Sequence, residues 1–210
     1  MSEPTQIKGE KSRWRASTKE LLGIGVVLLL ALTARATFAD HYHVPTGSMR
    51  PTVEVGDRII VNKAAYGLRV PLSERWLTRF EGPHSGEVVV LHSPEDGEVL
   101  LKRVVAAPGD LVALRGGRLW LNGSFVPVEM VDADSPLERL GESLHPLRLE
   151  DGGGPDFGPV SVPADSYLVV GDNRGNSLDG RFFGWVDRDA ILGRGVAVFA
   201  RHGRPTWSPL

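Results

Sequence analysis

The sequence predicts a mostly β protein: one N-terminal apolar helix, then an antiparallel β sandwich or barrel-like domain with a small cap or loop excursion. Three observations carry this expectation. A single long apolar run occupies residues 21–38, behind a basic start. From Val53 onward, short runs of Val, Ile and Leu alternate with clusters of Gly, Pro and Asp, the pattern of strands between turns. No segment there shows the apolar spacing of an amphipathic helix.

Residues 1–20 carry Lys8, Lys11, Arg13, Arg15 and Lys19 against three acids, a balance that keeps an N-terminus cytoplasmic. Leu21 to Leu32 is apolar without interruption, and the run continues weakly through Ala34, Ala36 and Phe38. A bilayer span takes about 20 mostly apolar residues and no fewer than roughly 17. Residues 21–38 therefore read as a transmembrane anchor, with Arg35 snorkelling to the far interface and residues 39–210 outside the cytoplasm. The basic start, short apolar core and Ala34-Arg35-Ala36 triplet also fit a cleaved export signal.

In the domain that follows, strands are expected at Asp57–Asn62, Gly86–His92, Val99–Val105, Leu111–Leu114 and Tyr167–Val170. Gly117–Gly123 reads as a strand entering an Asn-Gly turn, with Ser124–Val128 as its return. Met130–Pro159 is acidic and rich in Pro and Gly. With its flanks, about 123–165, it reads as an excursion from the main sheet.

Composition narrows the function. A net charge of -2 and the absence of any nucleic-acid motif argue against a nucleic-acid partner. The chain has no cysteine, which excludes a thiolate nucleophile, disulfides and Cys-based metal sites. His41 and His43 alternate without a further ligand cluster, so no metal or cofactor is expected.

Ser48 stands in the Pro-bracketed segment Pro45-Thr-Gly-Ser-Met-Arg-Pro51, a few residues beyond the apolar run. A nucleophilic serine needs a base. None of His41, His43, His84, His92, His145 and His202 lies in a recognisable setting, and the Gly-x-Ser-x-Gly elbow is absent. Of the five lysines, only Lys63 and Lys102 follow the apolar run. Lys102 lies within a predicted strand, on one face with Leu100 and Val104. Burial there disfavours the ammonium, and a neutral Lys102 is able to take the Ser48 proton. The alternative is a rim lysine paired with an acid. Lys63, at a strand end, is the more exposed of the two.

Four segments, in order, resemble the boxes of the bacterial type I signal peptidases, membrane-anchored Ser–Lys endopeptidases. Pro45–Pro51 is similar to the nucleophile box and Gly56–Lys63 to the strand box that follows it. Lys102–Asp110 is similar to the lysine box, and Gly171-Asp-Asn-Arg-Gly-Asn-Ser-Leu-Asp-Gly-Arg181 to the last box. The resemblance runs from the anchor to about Gly193. It implies Ser48 as nucleophile, Lys102 as general base, and an oxyanion hole made by the Ser48 N–H and the Thr46 hydroxyl. By the same resemblance Ser177 hydrogen-bonds and orients the Lys102 amine. Asp179 and Arg181 form a supporting ion pair, and Asp172 and Arg174 shape the loop. Gly175 and Gly180 stand where relatives often have an acid and a serine, a change expected to loosen that loop.

The resemblance further implies a single-pass protein of the bacterial cytoplasmic membrane, with the lipid bilayer and signal-peptide-bearing preproteins as partners. Cleavage is expected after small residues (Ala-x-Ala), with the peptide bound as an added strand. Trp76, Phe80, Phe182, Phe183 and Trp185 read first as core packing and second as headgroup contacts. Two rivals remain at this point: a processing protease with few clients, and a tethered β domain that binds peptides without cutting them.

Overall fold

The computed structural model describes residues 20–27, 38–70, 73, 75–131 and 136–210. The chain divides into two units, Met1–Arg35 and Ala36–Leu210. In the first, residues 20–27 are helical and exposed. The expected anchor over 21–38 lies largely outside the described residues. Among the described residues, no helix is long and apolar enough to cross a membrane.

The second unit is antiparallel β throughout its strand pairings. In chain order the first strands are β1 (Ala39–His43), β2 (Arg58–Asn62), β3 (Gly67–Arg69), β4 (Trp76–Arg79), β5 (Val88–His92) and β6 (Val99–Ala106). Then come β7 (Leu111–Arg115), β8 (Arg118–Leu121), β9 (Ser124–Phe125), β10 (Val128–Met130), β11 (Pro136–Leu140), β12 (Ser143–Pro146) and β13 (Phe157–Ser161). The last are β14 (Ser166–Val170), β15 (Val186–Asp187), β16 (Ile191–Arg201) and β17 (Arg204–Pro209).

One sheet dominates, in the order β1-β2-β16-β5-β6-β14-β15, with β17 also paired to β16. It curls into a half-barrel rather than forming one wall of a sandwich. The curl has a local cause. β16 shifts register against its neighbours between Ile191 and Gly193, Gly195 and Ala197, and Val198 and Ala200, and such bulges bend and twist a strand. This 11-residue strand was not among the expected ones, although it pairs with three others. Its Gly193 and Gly195 break the β-branched run. Gly193 is needed, because a Cβ there meets the Asn62 carbonyl oxygen at 2.6 Å.

The excursion over 123–165 is itself built of strands. β10-β11-β12 form a three-stranded sheet, and β13 returns to β7 in a second sheet, β13-β7-β8-β9. The β8–β9 hairpin turns at Asn122 (φ 48°) and Gly123 (φ 104°), the left-handed pair that a tight Asn-Gly turn requires.

Three apolar clusters fill the domain. One, with Val105, Leu114, Leu119 and Leu168, lies under the excursion. Another joins Val44, Met49, Val53, Ile59, Val90 and Val198 beneath the Ser48 loop. The third holds Tyr66, Val89, Leu91, Val104, Val169 and Ile191. Trp76, Phe183 and Trp185 pack against these clusters, whereas Phe80 and Phe182 are exposed.

Candidate active site

The loop between β1 and β2 carries Ser48 and is held from both sides. Val44, Met49 and Val53 sink into the core, pinning the chain before and after the serine. Backbone bonds from Arg50 N–H to the Gly47 carbonyl (3.1 Å) and from Val53 N–H to the Met49 carbonyl (3.0 Å) close the turn. At its base, buried Asp57 accepts the Glu54 N–H at 2.9 Å and pairs with Arg201 at 2.7 Å.

Lys102 comes from the middle of β6, where Leu100 and Val104 on either side pack into the third cluster. It is 3% exposed, and its Nζ lies 2.7 Å from Ser48 Oγ, in hydrogen-bond contact. Burial pushes the ammonium down from 10.5 to about 8, with Arg181 adding to the fall and Asp179 and Asp172 opposing it. A lysine in that range holds an appreciable neutral fraction near pH 7, which a base requires.

The third component is the loop after β14. Asn173 ties it to the nucleophile: its N–H donates to the Ser48 carbonyl at 3.0 Å, and its Nδ2 to the Gly47 carbonyl at 3.2 Å. Asp172 is fully buried and bidentate to Arg103, at 2.8 and 2.7 Å, and it accepts the Thr52 hydroxyl. Burial works to raise the Asp172 pKa, but the Arg103 guanidinium, His145 and the Thr52 hydroxyl together hold the carboxyl below the usual range. Asp179 caps the helical turn Gly180–Phe183 and pairs with Arg181 at 2.8 Å, both side chains buried. Arg181 also donates to the Gly153 and Arg174 carbonyls, tying the loop to the excursion.

Arg174 joins the loop to the excursion sheet. It is fully buried, with its guanidinium 2.5 Å from Glu138 on β11 and 2.7 Å from the Gly117 carbonyl. Burial works to raise the Glu138 pKa, yet Arg174 and His145 together keep it lowered. His145 Nε2 is 3.3 Å from the Glu138 carboxylate, near enough for charge pairing but not aligned as a hydrogen bond.

Of the expected residues, the fold brings Ser48 and Lys102 into contact and sets Thr46 in the same cavity of about 180 Å³. Among the described residues, neither the Ser48 N–H nor the Thr46 hydroxyl has a hydrogen-bond partner, so both donors are available to a ligand oxygen. Ser177 departs from expectation. Its Oγ is buried and, among the described residues, has no hydrogen-bond partner, while the Lys102 amine contacts Ser48. The hydroxyl packs over Gly171, where a Cβ would come within 2.3 Å of it. Gly175 and Gly180 are sterically required where they stand. A Cβ at Gly175 would fall 1.8 Å from the Glu150 carbonyl oxygen, and one at Gly180 would fall 2.7 Å from Leu168. Both glycines permit tight packing.

Sequence reasoning missed Arg103, Glu138 and Asn173. Arg103 was signalled by being a second cation inside an otherwise apolar strand. For Glu138 no local signal exists, since its partner is 36 residues away. Lys63 is half-buried, 3.8 Å from Asp40, and does not line the cavity that holds Ser48 and Lys102.

Comparison with known proteins places the chain in a family. The family model described as signal peptidase, peptidase S26, matches residues 18–200. A signal peptidase I of Leptolyngbya laminosa is 37% identical over 186 residues, covering 84% of this chain and 76% of its own length. One from Pseudomonas fluorescens is 35% identical over 207 residues, covering 88% and 72% respectively. Signal peptidase I U of Bacillus subtilis is 29% identical over 195 residues, 92% of each chain.

Proposed function

The chain belongs to the signal peptidase family, peptidase S26, as a serine peptidase that removes signal peptides, and we propose that Ser48 and Lys102 perform the cleavage. The observation that carries this is the 2.7 Å contact between a buried, low-pKa Lys102 amine and the Ser48 hydroxyl.

Neutral Lys102 accepts the hydroxyl proton as Ser48 Oγ attacks the scissile carbonyl. The resulting oxyanion is held by the Ser48 N–H and the Thr46 hydroxyl. Loss of one such donor typically costs roughly 3 kcal/mol of transition-state stabilisation. Collapse breaks the C–N bond, and the Lys102 ammonium gives its proton to the leaving amine. Water then attacks the acyl-enzyme, with Lys102 again the base, and releases the carboxylate and free Ser48.

The substrate binds as an added strand. β14 pairs with β6 only from Arg103 onward, whereas residues 99–102 pair with β5 alone among the described strands. That leaves one backbone edge of β6 open beside Ser48, where a preprotein segment can donate and accept main-chain hydrogen bonds. Residues before the cut lie in the small cavity beside this edge, consistent with a preference for small side chains such as Ala-x-Ala. Residues 21–38 anchor the enzyme in the cytoplasmic membrane with the β domain outside, as the basic N-terminus directs.

The test is cleavage of an Ala-x-Ala preprotein in detergent micelles by wild type, Ser48→Ala and Lys102→Ala, with the product's N-terminus sequenced. Cutting by wild type alone is expected. Full activity in Lys102→Ala would remove the lysine from the mechanism.

A further inference from the structure

Glu98 is the residue through which the chain enters β6, and its backbone is fixed. Its carbonyl accepts the Ser93 N–H at 2.8 Å, and its N–H donates to Asp96 Oδ1 at 3.0 Å. The side chain is exposed and, among the described residues, makes no hydrogen bond or ion pair. It nevertheless lines the same cavity as Ser48 and Lys102. Much of that cavity is apolar, with Val44, Ile59, Val90 and Leu101 contributing. Lys102 stands at one end of the β6 segment and Glu98 at the other, with His43 also on the cavity wall.

Position along the strand sets what Glu98 meets. Four residues separate it from Lys102, about 13 Å at roughly 3.3 Å per strand residue. A peptide paired with the open edge at 99–102, its scissile carbonyl at Ser48, advances at the same rate. Its fourth or fifth residue before the cut then lies beside Glu98. A carboxylate without a partner attracts a cation across neighbouring strands and repels another carboxylate.

We propose that Glu98 forms a charge-selective subsite that favours a basic residue of the preprotein, and disfavours an acidic one, four to five residues before the cut. The assignment rests on the Ser48–Lys102 reading above and on residues before the cut occupying this cavity. It adds a charge filter to the size filter next to the scissile bond. Glu98 is a specificity-determining residue and takes no part in proton transfer.

The experiment compares kcat/KM for peptides bearing Lys, Gln or Glu at each of the third to sixth residues before the cut and the first four after it. At low ionic strength the wild-type Lys:Glu ratio is expected to be about threefold to tenfold at the fourth or fifth residue before the cut, the range for an exposed pair plus the matching repulsion. It should approach one elsewhere and shrink with added salt. Glu98→Gln is expected to flatten the ratio and Glu98→Lys to invert it. Each ratio is taken within one variant, so a change in overall rate does not enter. A ratio unmoved by Glu98→Lys, or a preference confined to residues after the cut, would overturn the assignment. A wild-type enzyme that cuts the Gln peptides with a flat Lys:Glu ratio sinks the subsite alone. If it fails to cut even the Gln peptides, the Ser48–Lys102 reading fails and the subsite falls with it.

Discussion

If the Lys102 ammonium titrates at about 8, kcat/KM must fall tenfold for each pH unit below that point. At pH 7 about one enzyme in eleven then carries the neutral base, against about one in three thousand for a lysine left at 10.5. The net shift thus raises the population of neutral base roughly 300-fold at pH 7. The informative perturbation is Asp179→Asn. Asp179 is the carboxylate that does most to keep the proton on Lys102, while the Arg181 beside it acts in the opposite sense. Removing the carboxylate, and leaving Arg181 without its partner, pushes the lysine the same way on both counts. The acid limb should move to lower pH even if the maximal rate drops. The assay is kcat/KM for one preprotein across pH 5 to 10, for wild type and Asp179→Asn. A midpoint that stays put or moves upward would refute the electrostatic account. So would an unchanged acid limb in the residual activity of Lys102→Ala.

The same proton affects stability. The folded pKa of about 8 lies below the unfolded 10.5, so between these values the unfolded chain binds more protons and stability rises with pH. Below about 8 both states are protonated and the full cost of burying the ammonium is present, roughly 3 kcal/mol at 1.36 kcal/mol per tenfold. Lys102→Met should therefore be inactive yet more stable at pH 7 in urea unfolding, and should lack the rise toward pH 10. Glu138→Ala leaves the Arg174 cation buried without its carboxylate, a loss of about 3–5 kcal/mol. Thermal unfolding should fall by roughly 10 °C in a domain of this size, and replacing both partners by apolar residues should recover much of it. Ser177→Ala removes a buried hydroxyl that has no hydrogen-bond partner among the described residues, so its melting temperature should match or slightly exceed wild type. A loss above about 1 kcal/mol would mean that the hydroxyl is bonded after all.

Much of this site was legible because its signals are local. Ser48 is bracketed by Pro45 and Pro51, and Lys102 is one of only two lysines beyond the apolar run. The strands around them are dense in β-branched residues, which fit a half-buried pleated surface. What stayed hidden depends on distant partners. Pro136-Leu-Glu-Arg-Leu140 reads as loop because of its proline and two charges. As β11 it begins at Pro136, a position that needs no ladder donor, and buries Glu138 against Arg174. Likewise β16 is obscured by Gly193 and Gly195, whose value lies in how closely neighbouring strands approach them. Ser177 shows the converse limit. Its position in the motif implied a bond to Lys102, whereas its Oγ has no hydrogen-bond partner among the described residues, and side-chain geometry is not written in the motif.

The buried ion pairs explain how a lysine base is tolerated beside carboxylates. Asp172 and Asp179 both raise the Lys102 pKa, and an unpaired carboxylate beside the amine would favour the ammonium further. Each is instead matched to its own arginine, Asp172 to Arg103 and Asp179 to Arg181, with N–O distances of 2.7 and 2.8 Å. The pairing satisfies buried charges that would otherwise be costly, and Arg181 opposes part of the aspartates' effect on the amine. What remains at Lys102 is chiefly desolvation, which favours the neutral form. Arg174 and Glu138 extend the scheme outward, locking the loop that carries both aspartates to the excursion sheet without adding net charge. The arginines of this site thus do two things at once: they fix the loop against the Ser48 turn, and they leave the proton on Lys102 free to move.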